Sequence, residues 1–260
     1  ETGRYENWEA WEEKAIKKNK AGISLVQNQD WWKKYFHKSF IIIDEKNPGS
    51  KYWKIGRNYQ LFRYMLGCNY YGSWPTKFNG GLFTFYECFT PDYRNWSGSD
   101  FTAQNQRLVY WPMLKTGDFE AMKPQFDFYN NILEAGKTRA KLYWGEEGAY
   151  FPEQLSCFGT SVCAEYKWNR RREVPDGEDD NSWVRMHYSS ALEFALMILE
   201  YADYSGEDIT DYLEFIDSVI RFYFVHYGRD EEGKLWVFPS TALETYKGDP
   251  YSADGEAYGA

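Results

Sequence analysis

Apolar residues that recur at helical spacing constrain this chain more than any other feature. Across Lys51–Asn69 they repeat every three or four residues, at Tyr52, Ile55, Tyr59, Phe62 and Leu66. That period places them on one face of an α-helix, whereas a strand would alternate at every second residue. Similar periods predict about seven long helices, over residues 5–19, 31–40, 51–69, 102 onward, 118–135, 182–204 and 210–227. The sequence therefore predicts an all-α fold of packed helices.

Composition excludes several classes of function. A chain of 260 residues makes one large domain or a piece of a larger one. The formal net charge of −9 argues against nucleic-acid binding, which needs a basic face. No apolar run approaches the ~20 residues of a membrane span. The four cysteines show no CxxC pairing, so we expect no metal or cofactor and leave a Cys157–Cys163 bridge open.

Two long segments, residues 70–101 and 136–181, show no clear period and are rich in Gly, Pro and aromatic residues. Loops of such length in a compact domain are usually functional or disordered, and the aromatic content argues against disorder. We therefore predict that both loops form the walls of a site at one face of the molecule. With 12 Trp in the chain, some indole rings should stack on a ligand, and the candidates are Trp74, Trp96, Trp111 and Trp144.

The stretch from Ser99 to Pro112 combines a helix start with polar side chains. Asp100 or Thr102 is placed to cap a helix whose first turn carries amides and a guanidinium, at Gln104, Asn105, Gln106 and Arg107. Amides beside Trp and Tyr suit a ligand that is polar at its edges and apolar on its faces, as a sugar ring is. The alternative is an ordinary polar first turn.

Two further residues are candidates for a site. Glu153 lies in an aromatic, Pro-fixed stretch, Phe151-Pro152-Glu153-Gln154, rather than in a run of charges. His187 lies near the start of a helix that is nearly apolar over residues 191–201 and should be internal. The structural alternatives are a salt-bridged loop carboxylate for Glu153 and a satisfied core histidine for His187.

The order of these motifs resembles the catalytic domain of the (α/α)6-barrel glycoside hydrolases, nearest to the family 95 α-L-fucosidase type and its bacterial relatives. The shared elements are the helix 51–69, the aromatic loop 74–95, Asp-Phe, Gln-Asn, Tyr-Trp-Pro at residues 110–112, and Pro-Ser-x-x-x-Glu at residues 239–244. Residues 148–154, with Gln154, match a pocket segment of the family, and Trp183 with His187 matches its Trp-x-x-x-His helix start. The likeness covers residues 30–250.

The resemblance implies a fold, an activity and site residues. The fold would be a toroid of helix pairs spanning the whole chain, and the activity would be hydrolysis of a neutral oligosaccharide, outside the cell or in the periplasm. Glu244 would be the general acid, and Asn105 one of two asparagines that orient the attacking water. Independently of the resemblance, the polar first turn makes Gln104 and Arg107 candidates for substrate contact, and His187 is a candidate for lining the pocket. The expected reaction inverts the anomeric centre. Glycoside hydrolysis usually needs two carboxyl groups, and Glu153 is the best local candidate for the second.

Two departures from the family pattern leave other functions open. The second water-orienting asparagine falls on Ala103, and the family's catalytic Asp lies well beyond the acid, whereas this chain ends soon after Glu244. We therefore expect an incomplete barrel, completed by a longer chain or by a second subunit. The main alternative is a non-catalytic carbohydrate-binding or scaffold protein. A lyase or phosphorylase is a third possibility, disfavoured by the acidic net charge and the lack of a basic pocket.

Overall fold

The computed structural model describes residues 5–20, 25–43, 46–76, 101–161, 186–187, 189–241 and 257–259. Helices account for 63% of these residues, and the strands are few and short. The predicted mainly helical fold is therefore confirmed at this level. The chain divides into two compact units, Glu1–Arg63 and Tyr64–Ala260. Within the described part of the chain, no helix is long and apolar enough to cross a membrane.

The first unit contains α1 (Trp8–Lys20), α2 (Leu25–Lys38) and most of α3 (Lys51–Cys68). A reciprocal contact joins α2 to α3. The Tyr35 hydroxyl donates to the Arg63 carbonyl at 2.8 Å, and Arg63 Nη2 donates to the Tyr35 carbonyl at 2.8 Å. The guanidinium also lies 4.1 Å from the centre of the Tyr35 ring, so a cation–π contact reinforces the two bonds.

The second unit contains the other helices, α4 (Ala103–Thr116), α5 (Lys123–Asn131), α6 (Leu133–Trp144), α7 (Ser189–Ser205) and α8 (Leu213–His226). Short 3-10 turns precede α5 and α8, at Phe119–Ala121 and Thr210–Tyr212. Two small antiparallel sheets accompany the helices. One pairs β1 (Phe101–Thr102) with β2 (Gln154–Leu155), and the other has the order β3 (Gly228–Arg229), β4 (Leu235–Val237), β5 (Ala257–Gly259).

Two helix pairs in this unit run parallel. Glu153 bonds to the first turns of both α4 and α7. About one turn later Arg107 pairs with Glu193, and near the ends of the two helices Lys115 pairs with Tyr204. Helices α6 and α8 pair Lys137 with Glu214 near their starts, and near their ends the Trp144 and His226 rings meet edge to face at 5.2 Å. Since each contact advances along both helices in the same direction, both pairs are parallel.

An aromatic core holds these helices together. The Tyr129 ring of α5 contacts Phe151, Phe194 of α7 and Phe215 of α8, with ring centres no more than 6.0 Å apart. The side chain of Tyr129 is 1% exposed, so it lies at the centre of the unit. A second buried cluster surrounds Phe222 and contains Ala140, Tyr150, Met186, Tyr223 and Tyr227, with Trp144 packed against it.

The segment after α6 is held against α8 by close backbone contact. Ala149 N donates to the Ser218 carbonyl at 2.8 Å. At Gly148, where φ is +95°, a Cβ atom would lie only 2.3 Å from Phe222 N. Only glycine fits that conformation and that approach, so Gly148 fixes the path of the chain toward Glu153.

Some predicted elements differ from those in the structure. The expected helix 118–135 is divided into a 3-10 turn, α5 and the start of α6, with Pro124 in the first turn of α5. The loop expected from residue 136 starts only after Trp144, because α6 continues to that residue. The expectation of a chain without strands is corrected by five strands of two or three residues within the described part. Cys157 is an exposed free thiol.

Candidate functional site

The site begins where α4 starts, and the predicted Thr102 side-chain cap is not found there. Thr102 occupies the N-cap position but makes no side-chain cap bond, while Asp100 lies outside the described residues. Instead, Glu153 Oε1 accepts a hydrogen bond from Gln104 N at 2.6 Å. The Glu153 carbonyl also accepts from Ala103 N at 3.0 Å, extending the β1–β2 pairing. A carboxylate remote in sequence therefore supplies the cap.

Glu153 also contacts the first turn of α7. Its Oε2 accepts a hydrogen bond from the Ser190 hydroxyl at 2.7 Å, and the whole side chain is 2% exposed. A carboxylate is stabilised at helix N-termini because the unpaired amide groups there carry partial positive charge. Glu153 therefore joins the starts of the parallel helices α4 and α7.

His187 lies beside the Glu153 carboxylate and is a neutral group. Its Nδ1 is 3.5 Å from Glu153 Oε2 and has no hydrogen-bond partner among the described residues. Burial of the ring, followed by the nearby positive charge of Arg107, lowers the pKa of His187 from 6.5 to about 4. The imidazole is therefore uncharged at neutral pH.

One helical turn further along, Glu193 bridges two side chains of α4. Its Oε2 pairs with Arg107 Nη1 at 3.1 Å, and its Oε1 accepts from Trp111 Nε1 at 2.7 Å. The side chains of Arg107 and Glu193 are 25% and 28% exposed. This group is therefore anchored on the protein side and still reachable from solvent. We call the Arg107–Glu193–Trp111 group the α4–α7 surface.

The other predicted residues are not among the three that form this surface. Asn105 is partly exposed in the first turn of α4, and Gln154 is partly exposed in β2, opposite Thr102. Trp144 packs in the aromatic cluster, with its ring 5.0 Å from that of Tyr150. Glu244 and Trp96 lie outside the described residues.

Trp74 is held by a different face of α4. Gln106 Nε2 donates to the Thr76 carbonyl at 2.9 Å, and Thr76 N donates to the Tyr110 hydroxyl at 2.9 Å. Burial raises the pKa of Tyr110 to about 12, so the hydroxyl stays protonated. The Trp74 ring is half exposed and stacks on Phe101 at 6.0 Å. Since Gln106 and Tyr110 do not share the helix face of Arg107 and Trp111, these contacts do not bring Trp74 to the α4–α7 surface.

Sequence reasoning missed Ser190 and Glu193. Glu193 had a visible signal, because it is a carboxylate inside the apolar run 191–199, and a charge there needs a partner. Ser190 had none beyond its place near a helix start. The partner of Glu193, Trp111 in α4, lies more than eighty residues away in sequence. The partner of Ser190, Glu153, lies about forty residues away.

The polar groups of the α4–α7 surface define what it can bind. It offers guanidinium donors, carboxylate acceptors and an indole ring, with the charges of Arg107 and Glu193 opposed.

Within the described residues, no group of three or more His, Cys, Asp or Glu is placed to hold a metal ion. The chain matches no protein-family model, and it has no significant match among curated proteins.

Proposed function

We propose that this protein is a glycoside hydrolase that binds a neutral oligosaccharide at the α4–α7 surface. The observation that carries the proposal is the bridge from Glu193 to Arg107 and Trp111. Donors and acceptors set beside an aromatic ring match the alternating hydroxyls and apolar faces of a sugar. The opposed charges leave no net charge on the bridge, which suits an uncharged ligand.

The helix arrangement supports an (α/α) toroid as the fold of this domain. In such a barrel, consecutive helical hairpins stand side by side, so that like helices of neighbouring hairpins run parallel. The pairs α4 with α7 and α6 with α8 have that relation. We infer that these four helices form two neighbouring hairpins of a barrel that further helices would complete.

In the proposed mechanism, Glu244 protonates the glycosidic oxygen and Asn105 positions water on the opposite face of the sugar. The first turn of α4 must then be held rigidly, since misplaced groups lose much of the benefit of proximity. Glu153 can supply that rigidity, because both its carboxylate oxygens accept bonds from the starts of α4 and α7. We propose that it positions Asn105 and contributes the negative charge that the base side requires.

A non-catalytic carbohydrate-binding protein is the second candidate. One specific observation favours it: both oxygens of Glu153 are already bonded and its side chain is buried, which hinders proton transfer from water. Ala103 also lacks the amide that would hold the water from the other side. Such a protein would keep the α4–α7 surface and bind sugar without cleaving it.

Glu244→Gln tests the catalytic proposal against this alternative. General acid catalysis contributes about 10²–10⁴-fold, so kcat on natural glycosides should fall by that factor. Activated aryl glycosides need little help from an acid and should lose much less. Glu231→Gln, which changes an exposed glutamate earlier in the sequence, is the control and should leave both rates unchanged.

The outcomes separate the two candidates. An unchanged kcat of Glu244→Gln on natural glycosides would contradict the role of Glu244 as general acid. A wild-type protein that binds neutral glycans and hydrolyses none of them would favour the binding protein. Loss of activity only on glycosides with poor leaving groups would support the hydrolase.

A further inference from the structure

We propose that Glu193 sets the charge selectivity of the α4–α7 surface, admitting uncharged sugars and excluding acidic ones by neutralising Arg107. The inference rests on the proposed function, because it concerns the ligand class of the same site. It adds a role for a residue that the family resemblance does not assign. The role follows from the geometry of the Arg107–Glu193–Trp111 bridge.

Arg107 alone would make this surface a receptor for anions. A guanidinium carries five N–H donors in a fixed planar arrangement that matches carboxylates and phosphates. Among the residues that the structure describes, Arg107 donates one hydrogen bond, to Glu193, and its side chain is partly exposed. Without a neighbouring negative charge, its remaining donors would favour an anionic ligand over a neutral one.

Glu193 is held where it cancels that charge. Trp111 Nε1 donates to Oε1 at 2.7 Å while Arg107 donates to Oε2, so rotating the carboxylate away would break these bonds. Each carboxylate oxygen has a second lone pair that these bonds leave available. Since the side chain is 28% exposed, a ligand hydroxyl can donate to it, whereas a ligand carboxylate would be repelled.

In the described ranges, the groups near this pair do not restore a positive charge. His187 is neutral because burial and Arg107 lower its pKa to about 4. Glu153 is buried and bonded to the helix starts. Lys115 belongs to the far end of α4, where it pairs with Tyr204. Among the described groups, Arg107 is therefore the cation that would attract an acidic ligand. Glu193 reduces this attraction by neutralising the charge of Arg107.

The test compares Glu193→Gln with the wild type on matched ligand pairs. The probes are cellobiose with cellobiouronate and galactobiose with digalacturonate, which differ in carboxylate groups at C6. Dissociation constants are measured by calorimetry at low and at physiological salt. Glu214→Gln is the control, because it removes the same charge from an ion pair with Lys137 on the α6–α8 side.

We expect Glu193→Gln to weaken the neutral ligands and to strengthen the acidic ones. The ratio of the two dissociation constants should shift by up to about fivefold, since a partly exposed charge pair contributes up to about 1 kcal/mol and tenfold corresponds to about 1.4 kcal/mol. The shift should shrink as salt rises. The double variant Arg107→Gln/Glu193→Gln should return the ratio to near the wild-type value, because both charges are then absent.

Each outcome decides one of the two proposals. An unchanged ratio in Glu193→Gln, with normal neutral binding by the wild type, would overturn the selectivity role and leave the proposed function intact. A wild type that binds neither class of sugar would overturn the proposed function, and this inference would fall with it. An equal shift in Glu214→Gln would also overturn the inference, since the effect would then reflect net charge alone.

Discussion

Protonation of His187 should make the fold sensitive to acid. The ring is 2% exposed beside Glu153 and Arg107, and its pKa is lowered from 6.5 to about 4. A group whose pKa is lower in the folded state binds protons more weakly there than in the unfolded chain. The unfolded state therefore gains protons first as the pH falls, and stability is lost between about pH 6.5 and pH 4.

The size of the loss follows from the two pKa values of His187. Linkage between 6.5 unfolded and about 4 folded gives about 2 kcal/mol by pH 5 and about 3 kcal/mol by pH 4. A His187→Asn variant has no group to titrate at this position and should escape that part of the acid destabilisation. Other carboxylates titrate in the same range in both proteins, so their contributions cancel in the comparison.

The measurement is urea unfolding of the wild type and His187→Asn at pH 7, 6, 5 and 4. The difference in unfolding free energy between the two proteins should change by about 2 kcal/mol from pH 7 to pH 5. NMR of the imidazole nitrogens gives an independent test, since the chain has only 3 histidines. A ring that is protonated already at pH 6, or a difference independent of pH, would refute the reasoning.

The remaining predictions concern the contacts that position the site. Gly148→Ala should destabilise the protein by about 3 kcal/mol or more, because the new Cβ would meet Phe222 N at 2.3 Å; thermal unfolding measures it. Gly145→Ala, which also has positive φ but open space around it, should cost only about 1 kcal/mol, and equal losses would contradict the argument. Glu153→Gln should cost about 1–2 kcal/mol in urea unfolding, because the negative charge at the two helix starts is lost and its charge-assisted hydrogen bonds become neutral ones; an unchanged midpoint would show that these bonds do not stabilise the fold.

Local sequence patterns predicted the long helices well. The spacing over Lys51–Asn69 placed α3 to within one residue of its observed end. The single helix expected over 118–135 was wrong in detail. The apolar period continues across Ile132, but the helical backbone is interrupted there, between α5 and α6. Strands of two or three residues are too short to show a period, and β1 pairs with a segment about fifty residues away.

Some residues of the candidate site could be singled out from local sequence features. The sequence showed the polar first turn of α4 and marked Glu153 as a candidate site residue. It did not show that Gln104 N donates a hydrogen bond to Glu153. A helix start requires some partner for its amides, and the nearest candidates along the chain, Asp100 and Thr102, were the natural choice. Only the fold shows that Glu153 takes this role and that Glu193 reaches Trp111.

The central claim is that the α4–α7 surface binds a neutral sugar, and a crystal structure with bound ligand tests it most directly. The ligand would be the neutral disaccharide that binds most tightly in the calorimetric comparison. The account predicts that a sugar ring lies against the Trp111 indole and that a hydroxyl donates to Glu193 within ~3 Å. A sugar bound away from α4 and α7, with Glu193 contacting only Arg107 and Trp111, would contradict it.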